Sequence, residues 1–206
     1  MKNVLITGGV GYIGSLLSDT LVNLGYNVTV VDNLFFKKNT IGHLFIKKNF
    51  NFIFDDVRNE QLIKSLISTN DIIIPLACLV GAPLCDKFPK DAQEVNQDII
   101  IKMLKLKSKD QIVIYPNTNS GYGTTDKNVE CDETMKLNPI SLYGKTKCAT
   151  EDALMQKENV VSFRLATVFG SSFRNRIDLL VNYFVYNAVL KNKLNLFEPE
   201  FRRNYI

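Results

Sequence analysis

At 206 residues, 46% hydrophobic and 22% charged, the chain has the size and make-up of one well-buried globular domain. A net charge of +4 is too mild to mark a nucleic-acid binder, and the densest lysines (Lys102, Lys105, Lys107 and Lys109) suit a solvated helix end. No apolar run approaches membrane-spanning length, and Met1-Lys2-Asn3 leads straight into the first strand, so no signal peptide is expected.

Val4-Leu5-Ile6 is short and branched enough for a buried parallel strand. Thr7-Gly8-Gly9-Val10-Gly11-Tyr12-Ile13-Gly14 follows, and apolar residues at Ile13, Leu16, Leu17, Leu21 and Leu24 then give helical spacing that Gly25 stops. Glycines alone also suit a plain tight turn. Strand, glycine turn and helix together make a pyrophosphate site, because the backbone can approach the anion and the helix start offers free N–H groups. The spacing is G-x-x-G-x-x-G, one residue longer in its first gap than in the two-domain dehydrogenases. The next strand, Asn27 to Val31, ends at Asp32, eighteen residues beyond Gly14. A carboxylate there meets the adenosine ribose hydroxyls, favours NAD and repels the 2′-phosphate of NADP, with Lys37 and Lys38 softening that preference.

The segment to Asn49 reads as irregular. A third strand is expected over 51–54, a helix over 59–67 and a fourth strand over 71–74, closed by Pro75-Leu76-Ala77. A loop with Gly81, Pro83 and Pro89 leads to a helix over 92–107, a fifth strand over 111–115 and a polar stretch to Pro139. Ser141 caps a helix over 142–157, followed by a sixth strand over 160–164, a helix over 177–190 and an apolar segment from Leu194 to Phe197. Alternation of strands and helices predicts an α/β fold of the Rossmann type, a doubly wound parallel sheet with helices on both faces. Ligand chemistry is then expected at the carboxyl ends of the strands, where Gly8, Asp32, Asp56, Ala77 and Thr118 fall.

Four cysteines, Cys78, Cys85, Cys131 and Cys148, form no C-x-x-C pair, and His43 is the only histidine. No metal site is expected, nor a triad that needs histidine, and the thiols read as reduced and cytoplasmic. Tyr143 and Lys147 stand four apart, on one face of a helix. An ammonium close to a phenol, beside a cationic nicotinamide ring, favours the phenolate, which can take a proton from a sugar hydroxyl. The same lysine can reach the nicotinamide ribose. Of the eight tyrosines only Tyr143 has a lysine four residues on.

These stretches resemble the extended short-chain dehydrogenases/reductases, in the NAD-dependent sugar-nucleotide epimerase/dehydratase group. The likeness runs from Val4 to Ile206 through Val31-Asp32-Asn33-Leu34, Asp55-Asp56-Val57-Arg58, Leu76-Ala77-Cys78, Asn117 to Gly123, Tyr143 to Lys147, Arg164 to Gly170 and Phe201 to Ile206. It implies that Gly8, Gly11, Tyr12 and Ile13, within the motif that Gly14 closes, hold the pyrophosphate. It places Asp32 and Asn33 on the adenosine ribose, Asp56 and Val57 beside the adenine, and Leu76 and Ala77 along the dinucleotide. Asn96 would support the nicotinamide side. Thr118 would be the catalytic Ser/Thr and, with Asn119 and Thr167, lie at the sugar, while Arg203 would contact the nucleotide diphosphate.

Departures sharpen the reading. Asn119 and Ser120 stand where the sugar 4,6-dehydratases carry their Asp-Glu acid and base, Pro75 where many members have His, and Thr167 where many have Asn. The whole chain reads as one NAD-binding domain, with the substrate region beginning near 167–206 and then stopping where the family normally continues. The function implied is an NAD-dependent nucleotide-sugar epimerase. A one-way dehydrogenase/reductase, a dehydratase and a non-catalytic NAD-binding sensor stand as alternatives. Two helices, with Ile99, Ile100, Met103 and Leu104 and with Ala149, Ala153 and Leu154, match those that pair across a two-fold axis, implying a homodimer.

Overall fold

In the computed structural model, which describes residues 1–124, 129–196, 199–200 and 205–206, six parallel strands lie in the order β3-β2-β1-β4-β5-β6. They are β1 (Asn3–Thr7), β2 (Asn27–Asp32), β3 (Phe50–Phe54), β4 (Ile72–Pro75), β5 (Ile112–Thr118) and β6 (Val160–Leu165). The helices that cross between them are α1 (Tyr12–Asn23), α2 (Glu60–Ile67), α3 (Ala82–Lys87), α4 (Pro89–Gln93), α5 (Ile99–Leu106) and α6 (Leu142–Leu154), and α7 (Leu180–Lys191) follows β6. Phe197, at the end of the expected apolar segment, and Phe201 to Asn204 lie outside the described residues.

Both faces of the sheet are buried, so successive residues of one strand enter different cores. Leu5, Val31, Ile73 and Val113 pack beneath α2, α5 and α6, whereas Val4, Ile6, Val28, Val30 and Ile74 pack beneath α1 and the 3-10 turn Gly42–Ile46. This double winding puts every strand's carboxyl end on one edge and opens a crevice between β1 and β4, where the strand order reverses.

The buried side of α1 differs from its apolar stripe. The enclosed residues are Gly14, Ser15, Ser18 and Val22, while Leu16 and Leu24 are exposed. Small side chains let the helix sit close over the glycine turn: a Cβ at Gly14 would come within 2.5 Å of the Gly8 carbonyl. Residues 82–91, expected as loop, lie in α3 and α4, because Pro83 and Pro89 sit in first turns where a missing N–H costs nothing. A π-helical stretch, Glu94–Asp98, then leads into α5. Helix α6 ends three residues before the expected Lys157, α7 begins three residues after Ile177, and β5 runs on to Thr118. Pro75 is tolerated in β4 because its pairing with β5 has already ended at Ile73.

Most of the residues expected at a dimer face pack in the interior, while Ala149 is half-buried. Ile99, Ile100, Met103, Leu104 and Leu154 belong to the core under α5 and α6, and Ala153 packs against it. Their apolar side chains satisfy the sheet of their own chain. Among the described residues, no helix is long and apolar enough to cross a membrane.

Candidate active site

The glycine turn is built by backbone alone. Gly8 donates its N–H to Val31 O at 2.8 Å, Gly11 donates to Gly8 O at 3.1 Å, and α1 starts with no side-chain cap. Gly8 has a φ of +74°, and a Cβ there would strike Ala77 N at 2.5 Å, so the turn lies directly against the segment leaving β4. Gly11 is different. A Cβ on it would meet only Gly8 O, at 3.1 Å, so packing does not demand glycine there. Close approach of an anion to an uncapped helix start does. The residues present therefore fit a dinucleotide pyrophosphate over Gly11, Tyr12 and Ile13.

Asp32 closes the turn. Its Oδ2 accepts from Val10 N at 3.0 Å and its Oδ1 from Leu34 N at 2.8 Å. Burial raises its pKa against those two hydrogen bonds and the nearby Arg174 charge. Each oxygen keeps a lone pair for a ribose hydroxyl. Asn33 donates to Asp56 Oδ2 at 3.0 Å, and Asp56 is gripped by Arg58 at 2.9 Å through both Nε and Nη2. That guanidinium, before the opposing effect of burial, holds the Asp56 carboxyl down at about 2. Arg58 also reaches Asp91 and Glu94. Val57 is buried in the core, so only its backbone can face an adenine.

Asn96 is fully enclosed. It accepts from Leu79 N at 2.8 Å and donates to Leu79 O at 3.0 Å, so it fixes the wall of the crevice beyond Leu76 and Ala77 and presents no free group to it.

At the carboxyl end of β5 three sequence-predicted residues come together. Thr118 caps the 3-10 turn Asn119–Tyr122, its Oγ1 accepting from Ser120 N at 3.2 Å and donating to Ser120 Oγ at 3.1 Å. The Tyr143 phenol lies near Thr118, whose hydroxyl lowers its pKa. Ser141 caps α6 by accepting from Gly144 N at 3.1 Å, which sets Tyr143 in the first turn. Lys147, one turn on, donates to Pro116 O at 2.6 Å and lies 3.9 Å above the Tyr115 ring. Its other two N–H groups remain available for ribose hydroxyls.

The electrostatics differ from the expectation of a lowered phenol. Burial raises the Tyr143 pKa most, and the neighbouring Cys78 and Cys85 thiols raise it further, outweighing the lowering by Thr118 and Arg176. Lys147 is itself pushed down by burial, against the countervailing Cys78, Cys148 and Glu151. The chain's own residues therefore favour the protonated phenol.

Asn119 and Thr167 are half-buried near this end, and Thr167 pairs with Tyr205. Arg203 lies outside the described residues. Among the described residues, no cluster of three or more His, Cys, Asp or Glu side chains could hold a metal ion.

Sequence reasoning missed the segment after β6. Tyr12 Oη donates to Gly170 O at 2.7 Å, Ser172 Oγ donates to Tyr12 O at 2.6 Å, and Arg174 lies 3.8 Å over the Phe36 ring. The segment thus straps the start of α1 and brings Arg174 and Arg176 towards the crevice. It also missed Glu151 and Asn117, although a glutamate four residues beyond Lys147 was a usable signal.

A doubly wound sheet with an uncapped glycine turn and an acidic β2 end has the architecture of a dinucleotide-binding domain. The family model for the NAD dependent epimerase/dehydratase family matches residues 4–206, and the chain belongs to that family. A probable UDP-arabinose 4-epimerase of Arabidopsis thaliana is 27% identical over 86% of this chain and 46% of its own length. UDP-glucuronic acid decarboxylase 1 of Xenopus tropicalis is 29% identical over 95% of this chain and 48% of its own. A UDP-N-acetylglucosamine 4-epimerase from Methanobrevibacter ruminantium M1, solved with UDP-N-acetylmuramic acid, superposes with a TM-score of 0.86 at 25% identity, over 100% of this chain and 68% of that one. The chain spans about half the length of the curated relatives it matches.

Proposed function

We propose that this chain carries the cofactor domain and proton-transfer machinery of an NAD-dependent epimerase acting on a UDP-sugar through a transient keto-sugar. The placing of Thr118 at the carboxyl end of β5, with Tyr143 and Lys147 one turn apart on α6 and Lys147 bonded to Pro116 O of that strand, carries the reading. Bound NAD supplies a hydride acceptor and donor within one turnover.

The chain's own residues do the rest. Gly11, Tyr12 and Ile13 hold the pyrophosphate, and Asp32 the adenosine ribose. Tyr143 Oη takes the proton of the reacting sugar hydroxyl, and Thr118 Oγ1 hydrogen-bonds the same oxygen and fixes its direction. Lys147 holds the nicotinamide ribose and places its positive charge behind the phenol. Asn119 and Ser120, which are neither acid nor base near neutral pH, favour epimerisation over elimination of water. The similarity to a UDP-arabinose 4-epimerase and a UDP-glucuronic acid decarboxylase supports a UDP-sugar. The four free thiols suit a reducing compartment.

Mass spectrometry of ligands carried through purification, followed by turnover on a UDP-sugar panel, tests the reading. Interconversion of two UDP-sugars without added cofactor is expected. Stoichiometric consumption of external NAD would make the protein a dehydrogenase, and NAD binding without turnover would make it a sensor.

A further inference from the structure

Behind Thr118 and Tyr143 lies a buried charge cluster to which the reading above gives no task. Glu151, two helical turns beyond Tyr143 on α6, is 5% exposed. Its Oε1 accepts from Arg164 Nε at 2.9 Å and Nη2 at 2.8 Å, and its Oε2 accepts from Asn117 Nδ2. Asn117 immediately precedes Thr118 and is the register partner of Arg164 across β5 and β6. The third guanidinium nitrogen, Nη1, reaches Tyr122 Oη at 3.4 Å and the Glu133 carbonyl at 3.3 Å. One carboxylate therefore joins the strand end that carries Thr118, the helix that carries Tyr143 and Lys147, and the chain leaving the site.

Stability explains this cluster poorly. A buried ion pair gives up so much hydration that apolar side chains of similar volume commonly stabilise as well or better. Asn117 Oδ1 is moreover buried with no partner, which adds to the penalty. What these bonds do supply, two from Arg164 to Oε1 and one from Asn117 to Oε2, is a fixed position and orientation for the carboxylate between the two strands. Both matter at a reacting centre, where misplacement by about 1 Å lowers rates about 100-fold.

We propose that Glu151 is a positioning residue: held between Arg164 and Asn117, it sets the spacing of the Thr118 hydroxyl and the Tyr143 phenol. The proposal rests on the catalytic reading of those two residues. It extends the site by one helical turn, into groups that touch neither cofactor nor sugar.

The test uses the NAD-loaded full chain with Glu151→Gln and with the double variant Glu151→Met/Arg164→Met. Four quantities are measured: melting temperature, NAD dissociation constant, kcat and KM on the UDP-sugar that turns over, and amide hydrogen exchange at Thr118 and Ser120. For Glu151→Gln, the NAD constant and KM stay within about threefold while kcat falls about 30- to 100-fold. The double variant melts at or above wild type. Its kcat nevertheless stays at least about tenfold down, and exchange at Thr118 and Ser120 quickens about tenfold in both variants. A double variant that regains wild-type kcat along with its stability would reduce the pair to a structural brace and overturn the proposal. So would unchanged exchange at Thr118 and Ser120. If wild type turns over no UDP-sugar, the functional reading fails on its own, and the exchange result still decides whether Glu151 fixes the end of β5.

Discussion

The glycine turn separates two roles that are usually confounded, packing and ligand approach. Gly14→Ala places a Cβ 2.5 Å from Gly8 O and 2.7 Å from Gly9 Cα, both backbone atoms that cannot rotate away. Helix α1 must lift off the turn, an overpacking effect of about 2–3 kcal/mol, and the melting temperature falls by about 5–10 °C. Gly11→Ala meets only Gly8 O, at 3.1 Å, and the backbone at Gly11 (φ −71°, ψ −177°) is open to any residue. Its ligand-free chain should melt within about 3 °C of wild type. The added methyl nevertheless stands where the pyrophosphate approaches the first amides of α1. Losing one charge-assisted contact of about 1.5–2.5 kcal/mol weakens NAD about 10- to 70-fold. Calorimetric titration with NAD and differential scanning calorimetry of each ligand-free variant give the two numbers separately. Wild-type NAD affinity in Gly11→Ala would refute the reasoning. So would a Gly11→Ala chain as unstable as Gly14→Ala.

Other expectations follow from the charges and thiols. Arg58 holds the Asp56 carboxyl at about 2, below its ordinary value near 3.9, so this pair stabilises the fold above about pH 4 and loses its effect as pH falls towards 2. With both side chains partly exposed, Arg58→Met should lower stability by only about 1 kcal/mol at pH 6. The urea midpoints of variant and wild type should converge as pH falls from 4 to 2, and a gap that stayed constant with pH would rule the pair out. Among the thiols, exposed Cys131 should react first with iodoacetamide at pH 7.5. Cys78, Cys85 and Cys148 have pKa values raised by burial, so peptide mass mapping should find them largely unmodified until the chain unfolds.

Much of this architecture could be read from residue order, because both sheet faces are buried and each strand announces itself as a branched apolar run between turns. Gly8, Asp32, Asp56 and Thr118 were assignable to strand ends for the same reason. What escaped was whatever depends on which side of a helix faces inward. The leucines of α1 suggested its buried stripe, yet close approach to the glycine turn put Gly14, Ser15 and Ser18 there. Pro83 and Pro89 suggested loop, although a first helical turn accepts proline as readily. Apolar residues on α5 and α6 served equally as core or partner surface, and only the packed fold assigned Ile100 and Leu104 to the core. Its spacing put Glu151 on the helix face of Tyr143 and Lys147, but its burial depends on Arg164 arriving from a strand that follows it in the chain.

The proton-transfer role of Tyr143 is tested most directly by Tyr143→Phe, assayed for interconversion of UDP-sugars and for NAD binding. Removal of one oxygen from a position fixed by α6 should leave the NAD dissociation constant within about threefold and lower kcat by about 100- to 10,000-fold. A variant that interconverts UDP-sugars at the wild-type rate would show that the proton leaves by another route.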